Sequence, residues 1–397
     1  MDAKYIIVGA GLAGGSAVDG IREVDKDGSI LLVGAEKHNP YHRPPLSKQL
    51  WSKKKSPSDI FLHDAAHYDS LGAQVLLNTQ IVDIDGRNKS ATDNSGRVHQ
   101  FEKLLIATGG APRRLPIPGG DLPGLLYYRT MDDYMSLEPQ VEGAKALIIG
   151  GGFIGSEMAA SLHQRGAHVT ILFPEPYLVH RVFPERLGMA LTELYRGRGI
   201  EIITEDQPAA IEQSAEGYVT KTKKGREIVA DAVLVGIGIA PGVELADRAG
   251  ITVENGIVID EHLCSSHPDV FAAGDNANFP YEALGQRMRV EHWDNAMEQG
   301  KLAGRNMAGA AEAYTHMPYF FSDLFEFGYE AVGEVSSALE NHADWEEEYK
   351  TGVIYYLRDG KIRGAMMCNI WDKVQNARDL ILAQKPVQAA ELAGSIR

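Results

Sequence analysis

Cysteine is scarce in this sequence: its 397 residues include two, Cys264 and Cys368, and no pair spaced as Cys-x-x-Cys. So low a count excludes a disulfide-stapled scaffold and favours a reducing compartment. The sequence also lacks any run of about 18 apolar residues, the length that a membrane-spanning helix needs. A strand-like apolar segment begins within four residues of Met1, so we expect no signal peptide. Together these absences predict a cytoplasmic protein.

Positively charged residues are also relatively few. The chain has 39 Lys and Arg against 54 Asp and Glu, a net charge of −15. Nucleic acid is therefore disfavoured as the main partner, because a phosphate backbone requires a basic face. The one tight basic run, residues 53–55, is interpreted as a solvated loop. Hydrophobic residues make up 44%, and the length suggests two or three domains at roughly 150 residues each.

The order of the predicted elements indicates an α/β fold. Strand-like runs alternate with amphipathic runs of helix length through the first 170 residues, as in a parallel sheet covered by helices. The predicted strands are 4–8, 29–33, 145–149, 167–172, 200–204, 217–223 and 227–235, with short strands within 74–106. The predicted helices are 12–24, 154–165 and 291–308. A Pro-rich segment, 39–58, interrupts the pattern, and a small α+β domain is predicted from about residue 315.

Two glycine-rich turns occupy equivalent places in this pattern. Each follows an apolar strand and opens a helix: Gly9, Gly11 and Gly14 in "YIIVGAGLAGGS", and Gly150, Gly152 and Gly155 in "IIGGGFIGSE". Such a turn lets the pyrophosphate of a dinucleotide approach backbone N–H groups at a helix N-terminus. An acid follows each second strand, Glu36 and then Glu175, where it can bind ribose hydroxyls. Two turns predict two dinucleotides.

A flavin and a nicotinamide are the natural pair, because one accepts the hydride that the other carries. The second site is inserted into the first, and in that arrangement the N-terminal turn is expected to bind FAD. The segment "VFAAGDNA" then returns the chain to the FAD domain, with Asp275 placed to bind the ribityl chain. Glu175 would repel a 2′-phosphate, so NAD(H) is predicted in preference to NADP(H).

Several longer motifs resemble a known family. "PYHRPPLSKQLW", "AAGDNA", "VEHWDNA", "MPYFFSDLF" and "GVIYYLRDGKIRGAMMCNIWDKVQNARDLI" together resemble the oxidoreductase region of apoptosis-inducing factor. "LFPEPYLVHRVF" is also similar to monodehydroascorbate reductase and to the ferredoxin reductases of oxygenase systems. The resemblance spans nearly the whole chain. It implies two Rossmann-like dinucleotide-binding domains in a glutathione-reductase-like architecture, plus a C-terminal α+β domain.

The resemblance also implies domain boundaries and contacts. The FAD domain would comprise 1–114 and 242–313, the NAD(H) domain 115–241 and the C-terminal domain 314–397. The implied FAD contacts are Gly9, Gly11, Leu12, Ala13, Gly14, Glu36, Arg43, Lys48, Ile81, Arg129, Asp275, Glu291, His292, Trp293 and Phe321. The implied nicotinamide-dinucleotide contacts are Gly150, Gly152, Phe153, Ile154, Gly155, Glu157, Glu175, Arg181, Gly238, His292, Glu330 and Asn369. No metal ion is implied.

Three residues are predicted to act directly at the flavin: Lys48, Glu157 and His292. Lys48 and Glu157 are expected to form an ion pair beside flavin N5, which orients the ring and excludes water. The helix that opens at "EHWDNAMEQG" would direct its first N–H groups at the N1–C2 edge of reduced flavin, with His292 and Trp293 at its start. An acid–base triad is not needed, because the cofactors carry the hydride.

The sequence leaves the electron acceptor open. The lack of a dithiol disfavours disulfide reductases, and Met297 and Phe321 stand where an ascorbate-radical reductase has Arg and Tyr. A small iron–sulfur protein, a quinone or another small molecule stay open as acceptors, and a homodimer stays open as the assembly. One alternative is an NADH-sensing FAD protein that forms a long-lived reduced-flavin–NAD+ complex and signals by a change of conformation or dimer state. The other is a ferredoxin reductase of an oxygenase system, which the acidic charge disfavours because ferredoxins are themselves acidic.

Overall fold

The computed structural model describes residues 2–396. Its helices are α1 (Leu12–Val24), α2 (Ala65–Ser70), α3 (Met131–Leu137), α4 (Phe153–Gln164), α5 (Glu185–Gly197), α6 (Glu244–Arg248), α7 (Trp293–Met307), α8 (Val374–Leu382) and α9 (Ala389–Leu392). Its strands are β1 (Ala3–Val8), β2 (Ile30–Val33), β3 (Ala73–Leu76), β4 (Ile81–Asp85), β5 (Ser90–Asp93), β6 (Val98–Ile106), β7 (Gly110–Pro112), β8 (Lys145–Ile149), β9 (His168–Leu172), β10 (Glu201–Ile203), β11 (Pro208–Ser214), β12 (Gly217–Thr222), β13 (Glu227–Ala230), β14 (Ala232–Val235), β15 (Ile239–Pro241), β16 (Ile257–Val258), β17 (Val270–Ala272), β18 (Ala277–Tyr281), β19 (Gln286–Arg289), β20 (Tyr319–Leu324), β21 (Phe327–Gly333), β22 (Glu340–Glu347), β23 (Thr351–Arg358) and β24 (Lys361–Cys368). Within this described range, no helix is both long enough and apolar enough to cross a bilayer.

The chain divides into two compact units, each assembled from three segments. The first unit comprises Met1–His42, Ser58–Ala111 and Ala240–Tyr319. The second comprises Arg43–Pro57, Pro112–Ile239 and Phe320–Arg397. Each unit therefore contains one of the two glycine-rich turns. The three-domain division that the resemblance implies stays a prediction.

The first unit is built on a mainly parallel sheet. Its strand order is β3-β2-β1-β6-β5-β4, and β17 also pairs with β6. β1 pairs in parallel with β2 and β6, as β17 does with β6, whereas β4 and β5 extend the sheet as antiparallel neighbours. The C-terminal ends of the two central strands, residues 5–8 of β1 and 104–106 of β6, are apolar, and Ile6, Ile7 and Leu105 are fully buried. Parallel strands end at one edge, so the loops after β1 and β17 meet there.

Helices α1 and α7 of the first unit pack at very close range through glycine. A Cβ built on Gly300 would lie 2.2 Å from the carbonyl oxygen of Ala13, and one built on Gly304 would lie 2.2 Å from that of Ala17. A larger residue at either position would push the helices apart. Both contacts advance in the same direction along the two helices, so α1 and α7 are parallel. Their N-termini therefore lie at the same end of the pair.

The second unit repeats the parallel arrangement on a smaller scale. Strands β8, β9, β10 and β14 form a parallel sheet in the order β10-β9-β8-β14. Two antiparallel sheets complete the unit, one in the order β11-β12-β13 and the other in the order β20-β21-β24-β23-β22. Helix α8 packs against β21 and β24 of the last sheet. A C-terminal α+β segment was expected from about residue 315, and this sheet with α8 agrees with it.

The prediction of one strand over 227–235 is wrong. The run is divided at Asp231 into β13, which pairs antiparallel with β12, and β14, which pairs in parallel with β8. Asp231 bonds the start of β8: its N–H donates to the Lys145 carbonyl at 2.8 Å, and its carboxylate accepts from the Lys145 N–H at 2.7 Å. Hydrophobicity alone cannot show this break, because residues 228–230 and 232–235 are apolar and a single residue separates them.

Candidate functional site

The loop between β1 and α1 has the backbone geometry that a dinucleotide requires. Gly9 adopts a φ of +115°, and a Cβ there would lie 2.2 Å from the Ala107 carbonyl oxygen. A Cβ on Gly14 would lie 1.9 Å from the Gly9 carbonyl oxygen. Beside Gly11, which caps α1, a Cβ would meet no atom of the described residues within 4 Å. Backbone packing therefore requires the outer two glycines, whereas the middle one leaves space beside the helix N-terminus.

The loop between β8 and α4 repeats this geometry position for position. Gly150 adopts a φ of +118°, and a Cβ there would lie 2.4 Å from the Gly236 carbonyl oxygen. A Cβ on Gly155 would lie 1.9 Å from the Gly150 carbonyl oxygen, and the space beside Gly152 is again open among the described residues. Both helices start at a glycine, which has no side chain to occupy their first N–H groups. The residues present at both loops fit a bound pyrophosphate.

The end of β17 lies between the starts of α1 and α7. Gly274 is so close that a Cβ there would lie 3.2 Å from the Cβ of Ala13 and 3.8 Å from that of Ala296. Its N–H donates to the Gln299 side chain at 2.9 Å. The next residue, Asp275, is thereby held beside two helix N-termini. The contact of Asp275 with the ribityl chain of FAD stays a prediction.

His292 and Trp293 stand where the sequence placed them, at the start of α7. His292 is the N-cap, and Trp293 is the first helical residue. Trp293 Nε1 donates to His42 Nδ1 at 2.8 Å. Burial lowers the pKa of His292 to about 4, against smaller opposing effects of Asp275 and Asp294. The imidazole is therefore neutral at pH 7, so the helix N-terminus is the positive end that α7 presents here.

The other predicted FAD contacts of the first unit are two acids with polar partners and three buried apolar residues. Glu36 accepts a hydrogen bond from the Tyr41 hydroxyl at 2.6 Å. Glu291 is paired with Arg289 at 2.6 Å near the surface. Ile81 is buried in β4, as are Leu12 and Ala13 in the first turn of α1. Together with Gly9, Gly11, Gly14, Asp275, His292 and Trp293, these residues all belong to the first unit.

The predicted ion pair between Lys48 and Glu157 is present in the second unit. Lys48 Nζ lies 2.6 Å from Glu157 Oε1, and the two side chains are 8% and 5% exposed. The hydroxyls of Ser47 and Ser322 each donate to the same carboxylate at 2.5 Å. Lys48 follows the 3-10 turn Pro44–Ser47, Glu157 lies in α4 and Ser322 lies in β20. One buried carboxylate thus joins three parts of the unit.

An aromatic ring lies beside this ion pair, and two more pack on each other near the start of α4. Lys48 Nζ lies 5.6 Å from the centre of the Phe321 ring. Phe153, the first residue of α4, packs edge-to-face on Phe320 with ring centres 5.5 Å apart. The structure therefore brings together the Lys48–Glu157 pair that was hypothesised and Phe321, which was predicted separately as a FAD contact. Their place beside a flavin stays a prediction.

The acid predicted to bind a ribose follows the end of β9. Glu175 lies three residues beyond Leu172 and is half-buried. Between them, the ring of Phe173 packs on the glycine loop, where a Cβ on Gly151 would lie 2.6 Å from it. Arg181 and Ile154 are exposed. Phe173 therefore points into the packing against the glycine loop, and the contact of Glu175 with a ribose stays a prediction.

Three further predicted nicotinamide contacts differ in whether their polar groups already have hydrogen-bond partners within the protein. Gly238 adopts a φ of +93°, and its carbonyl accepts from the Arg113 N–H at 2.9 Å. Burial raises the pKa of Glu330, and one of its carboxylate oxygens is buried without a hydrogen-bond partner among residues 2–396. The Asn369 amide, by contrast, bonds the backbone of Gly328 at 2.9 Å and of Glu326 and Lys350 at 3.1 Å. A cofactor contact through that amide would have to replace one of these bonds.

Two predicted FAD contacts of the second unit touch each other. Arg43 Nη1 donates to the Arg129 carbonyl at 2.7 Å.

Sequence reasoning missed the hydroxyls of Ser47 and Ser322 and the side chain of Gln299. Ser47 adjoins Lys48 in "PPLSK", which is a local signal. Ser322 and Gln299 have none, because only the fold brings them to their partners.

Two parallel sheets, each with a glycine turn that leaves a helix N-terminus open, are typical of flavoproteins that bind two dinucleotides. The chain belongs to the pyridine nucleotide-disulphide oxidoreductase family, whose sequence profile matches residues 3–300. The profile described as "Apoptosis-inducing factor, mitochondrion-associated, C-term" matches residues 303–345 and 340–383.

Individual relatives agree with this membership. The chain is 31% identical to the apoptosis-inducing factor 1 of Dictyostelium discoideum, over 97% of this chain and 79% of that one. It is 33% identical to the ferredoxin–NAD(+) reductase component of the anthranilate 1,2-dioxygenase system of Burkholderia cepacia, over 98% and 96%. A putidaredoxin reductase solved as a covalent complex with putidaredoxin has a TM-score of 0.92 and 30% identity, over 98% of this chain and 95% of that one.

These findings confirm the family resemblance and the glutathione-reductase-like fold class. The chain is an NAD(P)H-dependent FAD oxidoreductase that passes electrons to an acceptor. The individual site residues stay predictions.

Proposed function

We propose that this enzyme takes its hydride from NADH in preference to NADPH and passes electrons to a small iron–sulfur protein. The observation that carries the proposal is the similarity to the Burkholderia cepacia reductase component, which extends over nearly the full length of both chains. The putidaredoxin reductase relative, seen with its redox partner, supports the same class of acceptor.

The cysteines support an acceptor other than a disulfide. Cys264 and Cys368 are both free thiols, the first partly exposed and the second buried. Burial raises the pKa of both thiols, so neither is poised as a thiolate. A dithiol relay from a flavin to a substrate therefore has no candidate pair among the described residues. The acidic net charge stays the main argument against a ferredoxin, and it makes the docking rate of that partner dependent on salt.

The chain's own residues supply position and electrostatics. Bound FAD would supply the hydride and single-electron chemistry that no side chain can provide. The turn at Gly9–Gly14 would hold its pyrophosphate, and the start of α7 would stabilise negative charge on the isoalloxazine. The turn at Gly150–Gly155 would hold NADH, with Glu175 on the adenosine ribose. The buried Lys48–Glu157 pair would orient the ring and exclude water.

Reconstitution with candidate acceptors tests this proposal. The purified enzyme is given NADH, cytochrome c as the final reporter and, in separate reactions, an oxygenase-type [2Fe–2S] ferredoxin or a soluble quinone. We expect the ferredoxin to accelerate cytochrome c reduction well above the rates with quinone or without an added acceptor. Ferricyanide serves as the control that hydride transfer from NADH is intact. An active ferricyanide reaction with no effect of ferredoxin would contradict the proposed acceptor.

The match to the C-terminal segment of apoptosis-inducing factor favours a second candidate function, an NADH sensor. A sensor would be reduced quickly by NADH and would be reoxidised slowly by every acceptor offered. The same reactions distinguish the two functions. The molar mass of the protein in solution, measured before and after reduction, shows whether its oligomeric state changes. The homodimer and the cytoplasmic location stay predictions.

Glu175 is predicted to set the coenzyme preference. Replacing it with alanine removes a charge-assisted hydrogen bond to the ribose, worth about 1.5–3 kcal/mol, and the repulsion of a 2′-phosphate. We expect the ratio of kcat/KM for NADH to that for NADPH to fall by roughly ten- to a hundredfold. Glu201→Ala in β10 is the matched control and should leave the ratio unchanged. An unchanged ratio in Glu175→Ala would contradict the assignment.

A further inference from the structure

Three side chains away from both glycine turns meet near the surface of the first unit. Asp19 of α1, His67 of α2 and His63 each offer one ligand atom, and these atoms all lie within 4.8 Å of one another. Asp19 Oδ2 lies 2.9 Å from His63 Nε2, and Asp19 Oδ1 lies 2.7 Å from His67 Nε2. The two imidazole rings are stacked, with centres 3.7 Å apart and planes inclined by 23°. Both Nε2 atoms therefore face one carboxylate.

We propose that Asp19, His63 and His67 form a Zn²⁺-binding site. Two imidazole nitrogens and one carboxylate oxygen are a donor set for a transition metal, whereas Ca²⁺ and Mg²⁺ prefer oxygen ligands throughout. Zinc accepts three protein ligands of this kind and completes its tetrahedron with water. The partial exposure of the three side chains allows that water to enter.

The distances are close to those that the metal needs. Tetrahedral coordination with bonds of about 2.0–2.2 Å places neighbouring ligand atoms roughly 3.3 Å apart. The two hydrogen-bonded contacts, 2.9 and 2.7 Å, would therefore open by about half an ångström. Side-chain exposures of 29% for Asp19, 30% for His63 and 32% for His67 leave room for this adjustment. The metal would replace the shared protons that now join the rings to the carboxylate.

Neighbouring residues hold the two imidazoles in place. Tyr68 is buried and lies edge-on to both rings, with its centre 6.0 Å from that of His63 and 5.6 Å from that of His67. Asp64 caps α2 by accepting from the His67 N–H at 2.8 Å. Asp64 and Asp69 are exposed acids of the same short segment, and they add negative charge that favours a cation. The site is thus restrained before any metal binds.

Occupancy would couple α2 to α1, the helix whose N-terminus carries Gly11. A metal that binds the folded protein and not the unfolded chain stabilises the fold by an amount that grows with the logarithm of the free metal concentration above Kd. The three ligands lie away from both glycine turns, so zinc binding does not depend on the proposed electron acceptor and can be measured without turnover.

Zinc titration of the metal-free, FAD-loaded full chain tests the site. The protein is treated with EDTA, desalted and titrated with ZnCl₂ against a chromogenic chelator. We expect one Zn²⁺ per chain in the wild type, and at least tenfold weaker binding in Asp19→Asn and in His67→Gln. His168→Gln, which alters an exposed histidine of the second unit, should bind as the wild type does. Millimolar Mg²⁺ should not compete.

Copper provides an independent view of the ligands. In the oxidised protein, one equivalent of Cu²⁺ should give an electron paramagnetic resonance spectrum with splitting from two imidazole nitrogens. His67→Gln should reduce that splitting to one nitrogen. Wild-type protein that binds no Zn²⁺, or binding that Asp19→Asn and His67→Gln leave unchanged, would overturn the inference. Thermal melts with and without Zn²⁺ establish that the two variants are folded.

Discussion

Replacing Gly11 with valine is expected to yield a folded protein that purifies without FAD. A side chain at this position enters open space beside the N-terminus of α1, and Gly11 has no positive φ, so the chain itself tolerates the change. The branched side chain would instead occupy the approach of the pyrophosphate. Loss of two charge-assisted hydrogen bonds, each worth about 1.5–3 kcal/mol, lowers FAD affinity by roughly 10²–10⁴-fold. Flavin content per chain and a titration with added FAD measure this loss.

The equivalent change in the second turn separates the roles of the two loops. Gly152→Val should keep its FAD and lose reduction by NADH, because Gly152 has the same open surroundings at the start of α4. Gly197→Val, at an open position on the end of α5, is the matched control and should retain both properties. If Gly152→Val lost FAD while Gly11→Val kept it, the assignment of the two loops would be reversed. Circular dichroism verifies that each variant is folded.

Replacing Lys48 with methionine is expected to reduce both stability and the rate of flavin reduction. The change leaves the Glu157 carboxylate buried with the hydroxyls of Ser47 and Ser322 as its partners. Removing one member of a buried ion pair destabilises a protein by about 3–5 kcal/mol. A lost charge-assisted interaction at the flavin would slow reduction by roughly ten- to a hundredfold. Chemical denaturation and anaerobic stopped-flow with saturating NADH measure the two effects.

Lys53 offers a matched control within the same loop. It pairs with Glu138 near the surface, where its side chain is 48% exposed. Such a pair contributes about 0–1 kcal/mol, so Lys53→Met should change little. Glu157→Gln separates charge from shape, because the amide keeps the size of the side chain and leaves the Lys48 ammonium uncompensated. Unchanged stability and reduction rate in Lys48→Met would contradict the role given to the pair.

Local sequence patterns were sufficient to predict the strand–turn–helix units of the fold. The strand, glycine turn and helix at 3–24 and at 145–164 have a periodicity and a spacing that backbone geometry dictates. The start of α7 could also be predicted from the sequence, because the pattern of "EHWDNAMEQG" changes there from extended to helical. The Lys48–Glu157 pair was predicted from the chemistry of the resemblance. For the two strand–turn–helix units and for the start of α7, the deciding information lay within a few residues of the feature.

What the sequence could not show depends on contacts between distant segments. The division at Asp231 arises because Lys145, 86 residues away, bonds it. Ser322 reaches Glu157 across 165 residues of chain. The amide of Asn369 bonds the backbone of β21 and of its neighbours, which the sequence did not indicate, and its ligand contact stays a prediction. The packing of the sheets determines such partners, and the spacing of residues in the sequence does not indicate them.

The visible absorption of the purified protein, before and after anaerobic addition of NADH, shows whether this chain binds a flavin that NADH reduces. We expect a yellow protein with one flavin per chain, whose colour is bleached by stoichiometric NADH and only slowly by NADPH. A folded protein that is colourless, and stays colourless after incubation with FAD and desalting, would contradict it.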